Sequence, residues 1–125
     1  MGSYNTDCHN AQRFVTPAGT VQNEGDTQAH TLPYQIAYRV LLPRQVECEN
    51  LLVAVCCSAT HIAYGTLREE PAFMVMGHAA GVAAKLAVES RKAVQKIDRN
   101  SLQNELRKQG AVLTIPAGYP VITRR

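Results

Sequence analysis

The segment from Pro71 to Ser90, "PAFMVMGHAAGVAAKLAVES", constrains this chain more than any other stretch. Proline suits a first helical position, where its missing N–H would have no partner. After it comes an uninterrupted run of helix-compatible residues that ends near Glu89 or Ser90. Gly77, Ala80, Gly81 and Ala84 lie at i, i+3, i+4 and i+7, so small residues gather along one face. An interior glycine costs a helix about 1 kcal/mol relative to alanine. The expected return is close approach of that face to a sheet, another helix or a flat ligand. Glycines at this spacing also occur in membrane helices, but His78 and Lys85 interrupt the apolar run, and no bilayer span is expected.

Upstream, the pattern favours strands. Phe14-Val15 and Thr20-Val21 flank the turn signal "TPAGT", which predicts a hairpin. In "YQIAYRVLL", Tyr34, Ile36, Tyr38 and Val40 alternate with less apolar neighbours, the period of a half-buried strand closed by Pro43. "LLVAV", Leu51 to Val55, is apolar throughout, as in a strand covered on both faces. A polar loop, Ser58 to Glu70, then leads into the long helix. A second helix is expected from Arg99 to Gln109, capped by Asp98 and stopped by Gly110. The fold class is therefore mixed α/β (α+β), with a strand-rich N-terminal half followed by strand, loop, long helix and short helix. No Gly-rich turn of the G-x-G-x-x-G type is present.

At 125 residues the chain suits one domain, and an apolar share of 46% is enough for a core. Residues 1–90 carry five Lys/Arg against eight Asp/Glu, and residues 91–125 carry eight against two. The basic residues of the second part are interleaved in helical rhythm with Gln, Asn and Leu, which reads as a solvated helix face rather than a nucleic-acid surface. Cys8, Cys48, Cys56 and Cys57 form no C-x-x-C pair and have no histidine at zinc-finger spacing, so no metal site is expected. Neither a basic n-region nor an apolar stretch opens the sequence, and a soluble, cytoplasmic protein with reduced thiols is the expectation.

The loop before the long helix and the N-terminal "YNTDCHN" hold the residues with chemistry. A helix N-terminus favours anions or electron-rich carbonyls through its free N–H groups and partial positive charge. His61 can exchange a proton near neutral pH or serve as a hydrogen-bonded structural residue. Asp7 and His9, two apart, share a face if extended and either orient one another in a pocket or simply begin a polar hairpin. His30 and His78 read as structural.

Three ordered blocks, "GSYNTDCHNAQRFVTPAGTVQNEGD", "YQIAYRVLLPRQVECENLLVAV" and "SATHIAYGTLREEPAFMVMGHAAGVAAKLA", resemble the C-terminal part of bacterial FAD-dependent oxidoreductases, a family often labelled xanthan lyases. The resemblance runs nearly continuously over residues 2–113. It implies that residues 1–50 belong to a substrate-domain sheet, that residues 51–113 supply the terminal strand and helices of an FAD domain, and that 114–125 form a tail. It further implies that the N-terminus of the long helix (Pro71, Ala72, Phe73) lies near the pyrimidine edge of the isoalloxazine ring. Ser58 then contacts a flavin phosphate or ribityl oxygen, or caps its loop. Arg68 binds an anionic substrate or reduced flavin, or else pairs on the surface with Glu47 or Glu49. The implied catalytic set is Arg68, His61 and His9.

Family members open with a βαβ unit that holds the ADP half of FAD, and this chain lacks its fingerprint. Cys57 also replaces a bulkier aliphatic residue and His78 a Gln or Glu. The expected function is that of a C-terminal segment of such an enzyme, contributing substrate-pocket and isoalloxazine-side contacts to a small-molecule reaction and inactive alone. Its partner would be the missing flavin-binding half or a second copy. The alternative is a noncatalytic oligomerising or binding module derived from the same fold.

Overall fold

The computed structural model describes residues 1–115 and 117–118. Its longest element is α2 (Glu70–Ser90), which has Glu69 at the N-cap and Pro71 in its first turn, where the sequence predicts the helix to start. The helix closes through Arg91 in the left-handed region (φ 53°), and the Lys92 N–H donates to the Ala87 carbonyl at 3.0 Å. The shorter α3 (Arg99–Lys108) follows with the expected cap. The Asp98 carboxylate accepts from the N–H groups of Asn100 (3.3 Å) and Ser101 (2.9 Å). Gly110 lies just beyond α3 at φ +82°, the conformation expected of a helix stop.

Between these helices a 3-10 turn (Val94–Lys96) brings α3 back across α2. Val82, Ala83, Ala87, Val94, Ile97, Leu102 and Leu106 form the core there, with Leu52, Leu86 and Leu113 packed at its edge. Leu102 and Leu106, one helical turn apart, are both buried. Each contributes about 1.5–3 kcal/mol relative to an exposed position.

The small-residue face of α2 is not the packing face. Met76, Val82, Ala83 and Ala87 turn inward, whereas a Cβ built on Gly77 or Gly81 meets no atom within 4 Å. Met74 and Val88, at the two ends of the outward face, are 74% and 77% exposed. Val82, Ala83 and Ala87, and not Gly77 or Gly81, therefore fasten α2 to this core. By length and composition α2 is also long enough and apolar enough to cross a membrane. Its outward side carries a Lys85–Glu89 pair at 3.8 Å and a hydrogen bond from His78 to Gln109 at 2.7 Å.

The strands form two small antiparallel sheets, which with three helices make an α+β fold. β2 (Gln12–Val15) and β3 (Val21–Glu24) make the predicted hairpin, with Phe14 opposite Gln22 and Val15 opposite Val21. Outside it, β1 (Thr6–Cys8) pairs with β4 (Thr27–Ala29), Asp7 facing Gln28.

Two expected strands are replaced by other structure. Tyr34 makes a single bridge to Gly2, and Tyr38–Leu41 is a 3-10 turn with Leu41 buried. Leu51 to Val55 joins no strand and bends from Ala54, and Leu51 and Val55 are exposed. Only two backbone bonds join these regions, from Val53 N–H to Leu41 C=O (2.9 Å) and from Ser58 N–H to Val40 C=O (2.7 Å). Alternation and apolarity describe burial, but a ladder also needs a partner with free donors and acceptors. The Tyr34 and Tyr38 hydroxyls instead bond the Thr66 and Val94 carbonyls. The expected loop at 58–70 holds a short helix, α1 (His61–Leu67), capped by Thr60, whose hydroxyl accepts from Ala63 N–H at 3.2 Å. The expected tail over residues 114–125 falls mostly outside the described residues.

Candidate functional site

The polar residues with chemistry meet where α1 crosses β1. Gly65, buried in α1, allows this crossing: a Cβ there would collide with Cys8 Sγ and lie 3.3 Å from the Asp7 carbonyl. The buried Cys8 thiol donates to the His61 carbonyl at 3.4 Å. Thr66 adds a second tie, its hydroxyl donating to Tyr4 C=O at 2.5 Å and lying 2.8 Å from the Tyr34 hydroxyl.

Asp7 is the hub. Arg68, the C-cap of α1, donates from Nη2 to Asp7 Oδ2 at 2.8 Å and from Nε to the Asp7 carbonyl at 3.3 Å. Its other Nη lies 3.8 Å from Glu69. The expected surface partners Glu47 and Glu49 are not those found: Glu47 pairs with Arg44, and Glu49 accepts from Gln45. His9 Nε2 stands 3.7 Å from the same Asp7 oxygen, on a side chain 80% exposed. His61, the first residue of α1, is exposed and places Nε2 3.3 Å from the Gly25 carbonyl. Arg68, Asp7 and His9 thus form one polar chain, with His61 on the same α1–β1 unit.

Beside it, a polar groove of about 440 Å³ runs between β1 and β4, lined by Asn5, Asp7, Gln28 and His30 among others. His30 Nδ1 donates to Asn5 Oδ1 at 3.0 Å. Gln28 and Thr66 were not singled out from the sequence. Strand pairing sets Gln28 opposite Asp7 and the crossing at Gly65 sets Thr66 against Tyr4, and neither carries a local sequence signal.

The residues expected to face a cofactor are not gathered in the same way. Ser58 is exposed and is tied through its N–H to Val40. Pro71 is exposed, and Ala72 and Phe73 are half-buried in the first turn of α2. Phe73 stacks obliquely against Tyr64, with centroids 6.3 Å apart, joining α2 to α1. The Ala72 and Phe73 N–H groups donate to the Glu69 carbonyl at 2.9 and 3.1 Å. No hydrogen bond links Ser58 with the Arg68–Asp7 group among the described residues.

No curated protein and no solved structure matches the chain. The family model described as FAD dependent oxidoreductase matches residues 1–106, from before β1 to near the end of α3. That span includes both sheets, the α1–β1 crossing and all of α2. On this match, the chain belongs to the FAD dependent oxidoreductase family.

Proposed function

We propose that this chain supplies the substrate-side part of an FAD-dependent oxidoreductase and that further sequence supplies the part holding the ADP half of FAD. The carrying observation is a family match over residues 1–106 whose strands pair only antiparallel, in two two-stranded sheets. An ADP-binding unit uses a parallel strand, a Gly-rich turn and a helix N-terminus to cradle pyrophosphate. The described residues contain no such arrangement and do not fit the whole cofactor.

At the start of α2, Pro71 has no N–H and the next two N–H groups are already engaged. Glu69 and Glu70 add negative charge at the same end. Pro71, Ala72 and Phe73 therefore offer apolar surface to a flavin rather than free donors, with Ser58 a separate and lesser contact.

The substrate side is assigned to the groove beside Asp7. In this reading Arg68 fixes the Asp7 carboxylate on the groove wall, and His9 and His61, which lie outside the groove lining on the α1–β1 unit, are the imidazoles that exchange protons with the part of a small-molecule substrate that reaches past Asp7. Hydride transfer is the proposed form of the redox reaction. The setting is cytoplasmic, without nucleic-acid or membrane partners. A second reading, a noncatalytic assembly module or homo-oligomer, is favoured by one observation, the exposed face of α2 bearing Met74, Gly77, Gly81 and Val88.

Co-expression with an ADP-binding domain from the same family separates these readings. The proposal expects a flavin-loaded complex whose turnover falls in both His9→Gln and His61→Gln. A flavin-loaded complex with undiminished turnover in both variants would remove the histidines from the mechanism. A flavin-free homo-oligomer would favour the second reading.

A further inference from the structure

A second cavity, of about 550 Å³, opens between the Tyr38–Leu41 turn, α2 and α3, and shares no lining residue with the groove at Asp7. Its volume falls in the range of small-molecule sites. Its body is aliphatic, with Leu41, Met76, Leu102 and Leu106 all buried at its wall. Two guanidiniums, those of Arg39 and Arg99, also line it beside Met1, and no Asp or Glu does. Among the described residues neither guanidinium has an ion-pair or hydrogen-bond partner.

This combination is chemically selective. An apolar body gains about 25 cal/mol per Å² of apolar surface removed from water, whatever its head group. Two unpaired guanidiniums favour a head that is anionic and planar, because a carboxylate can accept paired N–H bonds from Arg. The Tyr38 hydroxyl is not available as a competing donor, since it is committed to the Val94 carbonyl at 2.8 Å. Burial pushes its pKa up to about 12, against the opposing field of Arg99, so it adds no negative charge near neutral pH.

We propose that this cavity binds a single-chain apolar carboxylate, with its tail against α2 and α3 and its head between Arg39 and Arg99. The site is independent of the flavin reading, because it uses none of the residues assigned to the substrate groove.

Isothermal titration of the full chain with decanoate, below its micellar range, tests the site. 1-Decanol serves as the uncharged probe and decylamine as the cationic one. The expected result is saturable one-to-one binding of decanoate, about tenfold tighter than decanol, with no measurable binding of decylamine. Arg39→Gln/Arg99→Gln should reduce decanoate affinity to that of decanol and leave decanol unchanged. Both arginines are exposed, so circular dichroism should show an unaltered fold. Val75→Phe, on the cavity wall, should weaken both amphiphiles. Equal binding of decanoate and decanol by the unaltered chain would overturn the proposal. So would an unchanged decanoate affinity in the double arginine variant, or non-saturating uptake of several molecules per chain.

Discussion

Gly65 in α1 lies so close to Cys8 in β1 that the two elements can cross only because residue 65 has no Cβ. In an open helix, replacing glycine by alanine stabilises by about 1 kcal/mol. Here the added methyl would meet a buried sulfur and the Asp7 backbone. Gly65→Ala should therefore destabilise by a net of about 1–3 kcal/mol, the usual cost of overpacking. Urea unfolding measures it, and a stabilised variant would mean that α1 does not seat on β1.

Gly77 and Gly81 should behave in the opposite way. Both are helical, and a Cβ on either enters open space. Gly77→Ala and Gly81→Ala should each raise the stability of the isolated chain by about 0.5–1 kcal/mol. In a flavin-loaded assembly that covers this face, the same changes should weaken association. Destabilisation of the isolated chain would show that a second copy already occupies the face.

Arg68 and Asp7 supply a separate test. The pair is one-third exposed or less, with side-chain exposures of 33% and 28%, and it has two hydrogen bonds. A cycle of Arg68→Met and Asp7→Asn should give a coupling of about 0.5–1 kcal/mol, near the upper end for solvent-screened pairs. Zero coupling would leave the guanidinium free to bind substrate directly rather than to position Asp7.

The cap of α3 predicts a pH dependence. Hydrogen bonds from the Ser101 hydroxyl, the Ser101 N–H and the Asn100 N–H hold the Asp98 carboxyl below its ordinary value of 3.8. A depressed folded-state pKa gives stability that is present above the unfolded value and is lost as pH falls through the folded one. The melting temperature should therefore fall on acidification below about pH 3.8. Asp98→Asn, which keeps a capping oxygen but cannot titrate, should flatten that part of the profile. An identical acid limb in the variant would exclude Asp98 as its cause.

Much of the helical half was legible because its signals are local. Pro71, Asp98 and Gly110 mark helix ends through their own backbone chemistry, and the hairpin turn is fixed by the five residues from Thr16 to Thr20. At 34–42 and 51–55 alternation and apolar content carry no information about a pairing partner, and Leu51 and Val55 are not buried either. Tyr34, Tyr38 and Leu41 are covered by side-chain contacts to Thr66, Val94 and the core without joining a ladder. The face of α2 was misread for a related reason. Small residues announce that close approach is possible, not that this chain provides the neighbour. At the site, Arg68, His61, Asp7 and His9 could be named from their types. That Asp7 joins Arg68 across 61 positions depends on the crossing at Gly65, which has no sequence period to reveal it.

In the proposed function these residues form the substrate side of a flavoenzyme without holding the ADP half of FAD. Equilibrium titration of FAD into the purified chain, followed by visible flavin absorbance and repeated with an ADP-binding domain of the family present, tests it most directly. The account predicts a colourless chain with no binding tighter than high micromolar, and stoichiometric uptake when the second domain is added. Stoichiometric FAD binding by the chain alone would contradict it.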